Sequence, residues 1–121
     1  MKKAVLIVGH GSRSKAAQDI FTEIVEMVKA KMSDQLVEGA HMELCEPSIE
    51  ATVALLAEQG VDSIAIVPYF LYEGIHIRED IPEIIQTLSE QYPHIEFKFG
   101  RPIGAESLLA DILVQRALEI N

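Results

Sequence analysis

Apolar positions along this chain follow two alternating rhythms. Ala4 to Val8 is an unbroken apolar run closed by Gly9 and Gly11, the pattern of a strand covered on both faces. From Ser14 to Lys31 the apolar residues recur as Ala17, Ile20, Phe21, Ile24, Val25 and Val28, the stripe of an amphipathic helix. Leu36 to Leu44 predicts a second strand, interrupted by Gly39. Pro47 suits the first turn of a helix, where its missing N–H is no loss. That helix continues through Val53, Leu55 and Leu56 to Gly60, a C-terminal cap. Ser63 to Val67 predicts a third strand, and Asp80 to Gln91 a third helix with Pro82 in its first turn. Ile95 to Phe99 then predicts a fourth strand and Glu106 to Leu118 a final helix. Between the third strand and its helix, Pro68 to His76 is too irregular for a helix and too apolar for an idle surface loop.

Four strand–helix units in succession imply an α/β fold of three layers, α/β/α, around a four-stranded parallel sheet. Right-handed crossovers leave few ways to order the strands, and a doubly wound sheet is the expected one. With no Ser/Gly-rich linker, low-complexity segment or internal repeat, residues 1–121 are expected to form a single domain. Sheets of this kind bind ligands beyond the carboxyl ends of their strands, near the point where strand order reverses. Candidate chemistry is therefore sought just after each strand.

Composition narrows the partners. Of the 121 residues, 49% are apolar and 24% charged, the balance of a globular protein. The net charge of −9 speaks against nucleic acid, which requires a basic face. No apolar run approaches the roughly 20 residues of a membrane span. The opening Met-Lys-Lys followed by five apolar residues imitates a signal peptide, but it runs into Gly-His-Gly-Ser without a small-residue cleavage pattern. A lone cysteine, Cys45, precludes an intramolecular disulfide and fits a reducing compartment, so the cytoplasm is the expected location. Residues 1–18 carry Lys2, Lys3, Arg13 and Lys15 and no acid. Chance placement accounts for such a patch as readily as a small polyanionic ligand does.

Three residues fall where the sheet rule looks. His10 follows the first strand, Glu43 lies near the end of the second, and His76 lies in the loop after the third. Two imidazoles and a carboxylate suit first-row divalent metals, and three protein ligands leave positions open for a metal that must later depart. Singly, each has a plainer reading: His10 as a solvated turn residue, Glu43 as a surface strand residue, His76 as a packing group. Their convergence on one edge favours a shared site. His41 would share a face with Glu43 in a regular strand, as a fourth group or as an edge-strand residue. His94 reads as ordinary surface, Glu46 as a helix cap or first-turn acid, and Cys45 as a small buried filler. Gly9-His10-Gly11-Ser12 lacks the spacing of a dinucleotide or P-loop cradle, and Ser12 is not in a nucleophile elbow. A phosphohistidine enzyme would want an arginine beside His10, and Arg13 keeps that alternative open.

Three segments carry a family resemblance: Leu6-Ile7-Val8-Gly9-His10-Gly11-Ser12-Arg13, Glu43-Leu44-Cys45-Glu46-Pro47-Ser48-Ile49, and Val67-Pro68-Tyr69-Phe70-Leu71 with Gly74-Ile75-His76. In order and spacing they resemble the short form of the CbiX-type sirohydrochlorin chelatases, class II chelatases. Cys45 stands where a small apolar residue is expected. The resemblance implies a chelatase-like fold and insertion of Co²⁺ into a sirohydrochlorin-type tetrapyrrole, with release of two protons, in cobalamin biosynthesis. The same ligands accept Fe²⁺, for sirohaem, or Ni²⁺, for a nickel tetrapyrrole. The metal is then a substrate, and no permanently bound cofactor is expected. The resemblance further implies that His10, His76 and Glu43 are the metal-binding and catalytic groups. Arg13, Lys15 and Arg78 would hold the substrate's carboxylates, with Tyr69, Phe70, Leu71 and Gly74 lining the pocket or an interface. Longer members hold two such domains around one cleft, so a short chain is expected to form a homodimer. A non-catalytic divalent-metal carrier is the alternative from another class.

Overall fold

The apolar runs become strands because each is buried from both sides, and the helical stripes supply the cover. In the computed structural model, which describes residues 1–121 and all their side chains except that of His76, β1 (Lys3–Gly9) is the centre of the sheet. It pairs in parallel with β2 (Leu36–His41) on one side and β3 (Ser63–Pro68) on the other, and β4 (Glu96–Phe99) continues beyond β3. The order β2-β1-β3-β4 is the doubly wound sheet expected from the sequence, with its reversal between β1 and β3.

Four helices complete the chain: α1 (Lys15–Lys31), α2 (Ile49–Glu58), α3 (Ile75–Gln91) and α4 (Ser107–Glu119). On one face Leu6, Val8, Ile64 and Ile66 pack with Val53 and Leu56 of α2 and Ile81 and Leu88 of α3. On the other, Val5, Ile7 and Val37 pack with Phe21 and Val25 of α1. Alternation along β1 divides these two cores cleanly. Ser14 and Ser48 cap α1 and α2, their hydroxyls accepting from the N–H groups of Ala17 and Ala51 at 3.3 and 3.1 Å. Gly60, at φ +81°, follows α2 as its left-handed terminator. Among the described residues no helix is long and apolar enough to cross a membrane.

Three boundaries differ from the sequence reading by two residues or more, and they shape the site. The loop predicted over Pro68 to His76 is shorter, because α3 begins at Ile75 rather than Asp80 and takes in His76. Pro82 lies inside this helix instead of in its first turn, and it leaves the Arg78 carbonyl without its helical donor. The helix continues across it because Ile77, Ile81, Ile84, Ile85 and Leu88 form one stripe against the core. The second strand ends at His41, three residues early, and residues 42–47 form a turn with Leu44 at φ +73°. Pro47 belongs to that turn, after a cis Glu46–Pro47 peptide, rather than to α2.

Candidate functional site

Tight backbone packing builds the site before any side chain enters it. Past the end of β2 the chain stays pressed to β1: the Met42 N–H donates to the Gly9 carbonyl at 2.9 Å and the Glu43 N–H to the His10 carbonyl at 3.2 Å. Gly11 makes this approach possible. It sits at φ +104°, and a Cβ there would stand 1.8 Å from the Glu43 carbonyl oxygen, so no other residue fits. Ser12 locks the following bend, its hydroxyl accepting from the Ser14 N–H at 3.0 Å and its carbonyl from the Gln18 amide at 2.9 Å.

The result places His10 Nε2 3.1 Å from Glu43 Oε1, with both side chains more than half exposed. Phe70 closes one side, its ring edge-on to His10 at a centroid distance of 6.5 Å. β3 brings it there, because the Tyr69 N–H extends the ladder to the Val8 carbonyl at 2.8 Å. A cavity of about 440 Å³ opens beside the pair, lined by His10, Met42, Glu43, Ile77, Asp80, Glu83 and Ile84. A second hollow, of about 180 Å³, lies on the other side of His10 against Gly11, Phe21, His41 and Tyr69. A larger hollow of about 710 Å³ occurs at the opposite end of the sheet, lined by Met1 to Lys3 and Ser33 to Leu36. It lies away from the carboxyl ends of the strands and from every candidate residue.

The structure thus joins two of the three proposed metal-binding residues, His10 and Glu43. The side chain of His76 lies outside the described residues; its backbone is in the first turn of α3. Among the described residues, no group of three or more His, Cys, Asp or Glu side chains is close enough to hold a metal ion. Asp80 and Glu83 are additions that the sequence reading missed. They follow His76 by four and seven residues, the spacing of one helical stripe, a signal legible only once the helix starts at Ile75.

The other candidate residues occupy varied settings. Arg13 is exposed between β1 and α1. Lys15 pairs with Asp19 one turn along α1, and Arg78 Nε lies 3.4 Å from Glu73 Oε2, so two of the three expected carboxylate-binding cations already face acids. Tyr69 packs its ring 5.9 Å from Phe21, Leu71 is exposed, and Gly74 is the N-cap of α3. His41 is buried with its ring 4.7 Å from that of Phe21, and burial pushes its pKa down. Because β2 ends there, alternation does not carry from His41 to Glu43. Glu46 is exposed in the turn while Ser48 performs the capping, and Cys45 is a half-buried free thiol. His94 is exposed, as expected.

Comparison with known proteins points the same way as the geometry. The family model described as CbiX matches residues 4–120. A sirohydrochlorin ferrochelatase of Priestia megaterium is 41% identical over 98% of this chain, which covers 44% of that relative. The chain thus spans about half the length of the ferrochelatase. A sirohydrochlorin cobaltochelatase of Methanosarcina acetivorans is 34% identical over 98% of this chain and 96% of its own length. Among solved structures, the sirohydrochlorin chelatase SirB from Bacillus subtilis subspecies spizizenii in complex with cobalt superposes with a TM-score of 0.93 at 38% identity. That match covers 99% of this chain, α4 included, and 51% of SirB.

Proposed function

The chain belongs to the CbiX family, and on that premise we propose that it is a sirohydrochlorin cobaltochelatase, exchanging two pyrrole N–H protons for one Co²⁺. The observation that carries the reading is the His10–Glu43 pair, 3.1 Å apart at the carboxyl edge of the central strand and open to a cavity. Donor atoms at that separation, each at the ~2.1 Å of ordinary metal–nitrogen and metal–oxygen bonds, subtend roughly 95° at a shared ion. That angle suits a divalent metal bound by two protein atoms with other positions open.

The same pair serves proton transfer. With Nε2 protonated, His10 donates a hydrogen bond to Glu43. With Nε2 deprotonated, both atoms turn lone pairs toward a common point and hold the metal. When the ion passes to the pyrrole nitrogens, the two vacated atoms take up the protons that the pyrroles release. His76, one helical turn before Asp80, is proposed as the second imidazole. Asp80 and Glu83 make the cavity wall anionic, which concentrates cations at the pair. Phe70, with Tyr69 and Leu71, offers apolar surface for the macrocycle, and Arg13 a guanidinium for its carboxylates.

The reading extends to setting: a cytoplasmic homodimer that works without a resident cofactor, nucleic acid or membrane. The net charge of −9 and the lone Cys45 support it. Cobalt is the metal proposed, supported by the Methanosarcina acetivorans cobaltochelatase and by SirB in complex with cobalt; iron is the alternative, supported by the Priestia megaterium ferrochelatase. The test is anaerobic incubation of sirohydrochlorin with the protein and equimolar Co²⁺, Fe²⁺ and Ni²⁺ in separate reactions, followed by absorbance and mass spectrometry. Cobalt is expected to give the largest acceleration over the spontaneous rate. A larger acceleration with Fe²⁺ would transfer the assignment to the ferrochelatase reading, and acceleration with no metal would leave a metal-binding protein.

A further inference from the structure

His41 is a buried polar side chain that the proposed reaction leaves idle. It is 6% exposed and held against Phe21, ring centroid to ring centroid 4.7 Å. A neutral imidazole carries one N–H donor and one bare nitrogen. Among the described residues neither ring nitrogen has a hydrogen-bond partner, and neither is sealed from accessible space. A polar group buried to this degree without a protein partner is costly unless something else supplies the hydrogen bond.

His41 lines two hollows. One, of about 170 Å³, runs under Val25 and Gly39 and is walled by the carboxylates of Glu26 and Glu38, with Lys29 close to both. The other, of about 180 Å³, lies behind His10 and has no acidic residue in its wall. Donors gather in this second one. The Gly11 and Ser12 residues line it, and among the described residues their N–H groups have no backbone partner. α1 presents its N-terminal turn there through Ala17 and Gln18, and that turn holds no acid either. The positive end of a helix of 17 residues is thus left uncompensated. A buried donor, free amides and a helix N-terminus around one acid-free hollow suit an anion.

We propose that this hollow is a carboxylate-binding site and that a side arm of the tetrapyrrole fills it. Its volume of about 180 Å³ is several times the ~30 Å³ share of one water, room for a short carboxylate arm and far too little for a macrocycle. The ring belongs over the cavity of about 440 Å³ on the other side of His10. An arm that passes His10 and ends at His41 accepts a charge-assisted hydrogen bond from the imidazole N–H. That contact fixes the rotation of the ring above the His10–Glu43 pair and selects for tetrapyrroles with acidic arms. The identity of the occupant rests on the chelatase reading; the carboxylate chemistry does not.

The first test is an acetate titration of the unaltered chain followed by NMR, without metal or tetrapyrrole and with chloride as the control. Saturable shifts of the Gly11 and Ser12 amides and of the His41 ring are expected, with a Kd on the order of millimolar. Shifts no larger than those from chloride would overturn the site. The second test is binding of metal-free sirohydrochlorin, read by fluorescence. His41→Phe keeps a ring against Phe21 and removes both nitrogens. It is expected to weaken sirohydrochlorin binding at least tenfold, with the Kd for Co²⁺ within about twofold of the unaltered chain. His41→Gln, which keeps an N–H donor, is expected to recover most of that loss. Unchanged sirohydrochlorin affinity in folded H41F would assign the hollow to a free small carboxylate and overturn the side arm as occupant. Should H41F fail to fold, competition decides the matter: saturating acetate is expected to weaken sirohydrochlorin binding to the unaltered chain, and its failure to do so overturns the proposal. Acetate shifts in a chain that binds no sirohydrochlorin would remove the side arm and the chelatase reading together, and leave the carboxylate site standing.

Discussion

At the scale of single residues, the geometry of the candidate site depends on a glycine as well as on the groups proposed to do its chemistry. Gly11 combines a left-handed backbone with an approach to Glu43 that excludes any side chain. Gly11→Ala is expected to destabilise the fold by ~2 kcal/mol or more, and to part His10 from Glu43. Chemical denaturation checks the first effect, and a raised dissociation constant for Co²⁺ the second. His41 offers a pH signature. Its pKa is lowered by burial, with Phe21 the aromatic ring against it. Above its ordinary value of about 6.5, folded and unfolded chains both hold it neutral. Below that value the unfolded chain takes up a proton that the folded one resists, so stability falls as pH drops toward 5. His41→Gln is expected to flatten that part of the stability–pH curve, and an unchanged slope would show that His41 does not set it. The individual residues were legible in the sequence to different depths. His10 and Glu43 stand out by their place after apolar runs, whereas the pairing of Arg78 with Glu73 and of Lys15 with Asp19 depends on side-chain directions that no spacing rule fixes.

Elements were legible where periodicity runs unopposed. β1, α1 and β3 lie within a residue of their expected limits at nearly every end because apolar pattern and terminators agree there. Prolines misled twice. Pro82 reads as a helix start because proline is favoured there, but the Ile77–Leu88 stripe secures the helix on both sides of it, so packing overrides the missing hydrogen bond. Pro47 reads as a first-turn residue, but the turn from Met42 consumes it and Ser48 starts the helix. That cap also holds the end of the turn carrying Glu43, since His41 bridges to Ser48 and its N–H donates to the Pro47 carbonyl at 2.9 Å. Ser48→Ala is expected to cost about 1 kcal/mol and to lower the melting temperature by several degrees. A calorimetric scan showing no change would mean that water or the turn itself satisfies the Ala51 N–H.

On the scale of the whole molecule, the alternation of strands and helices predicted the doubly wound sheet, and the rule that ligands sit beyond its strand ends led to the edge where His10 and Glu43 meet beside a cavity. Periodicity could not foresee that α4 would leave its apolar residues exposed, because an apolar helix reads the same whether or not it is covered. Nor could it foresee the acidic wall. Asp80 and Glu83 look like ordinary helix surface until α3 is extended back to Ile75 and they face His10 and Glu43 across one cavity. Taken together, acidic side chains line the cavity beside His10 and Glu43, and the half-buried Phe70 ring stands edge-on to His10.

The most direct measurement of that account is the initial rate of sirohydrochlorin metallation by Co²⁺ without oxygen, followed by absorbance, for the unaltered chain and for His10→Ala and Glu43→Gln. The account predicts acceleration by the unaltered chain, a loss of at least a hundredfold in His10→Ala, and a loss of ten- to a hundredfold in Glu43→Gln. Rates in both variants equal to that of the unaltered chain would contradict it, because the pair at the end of β1 would then have no part in the reaction.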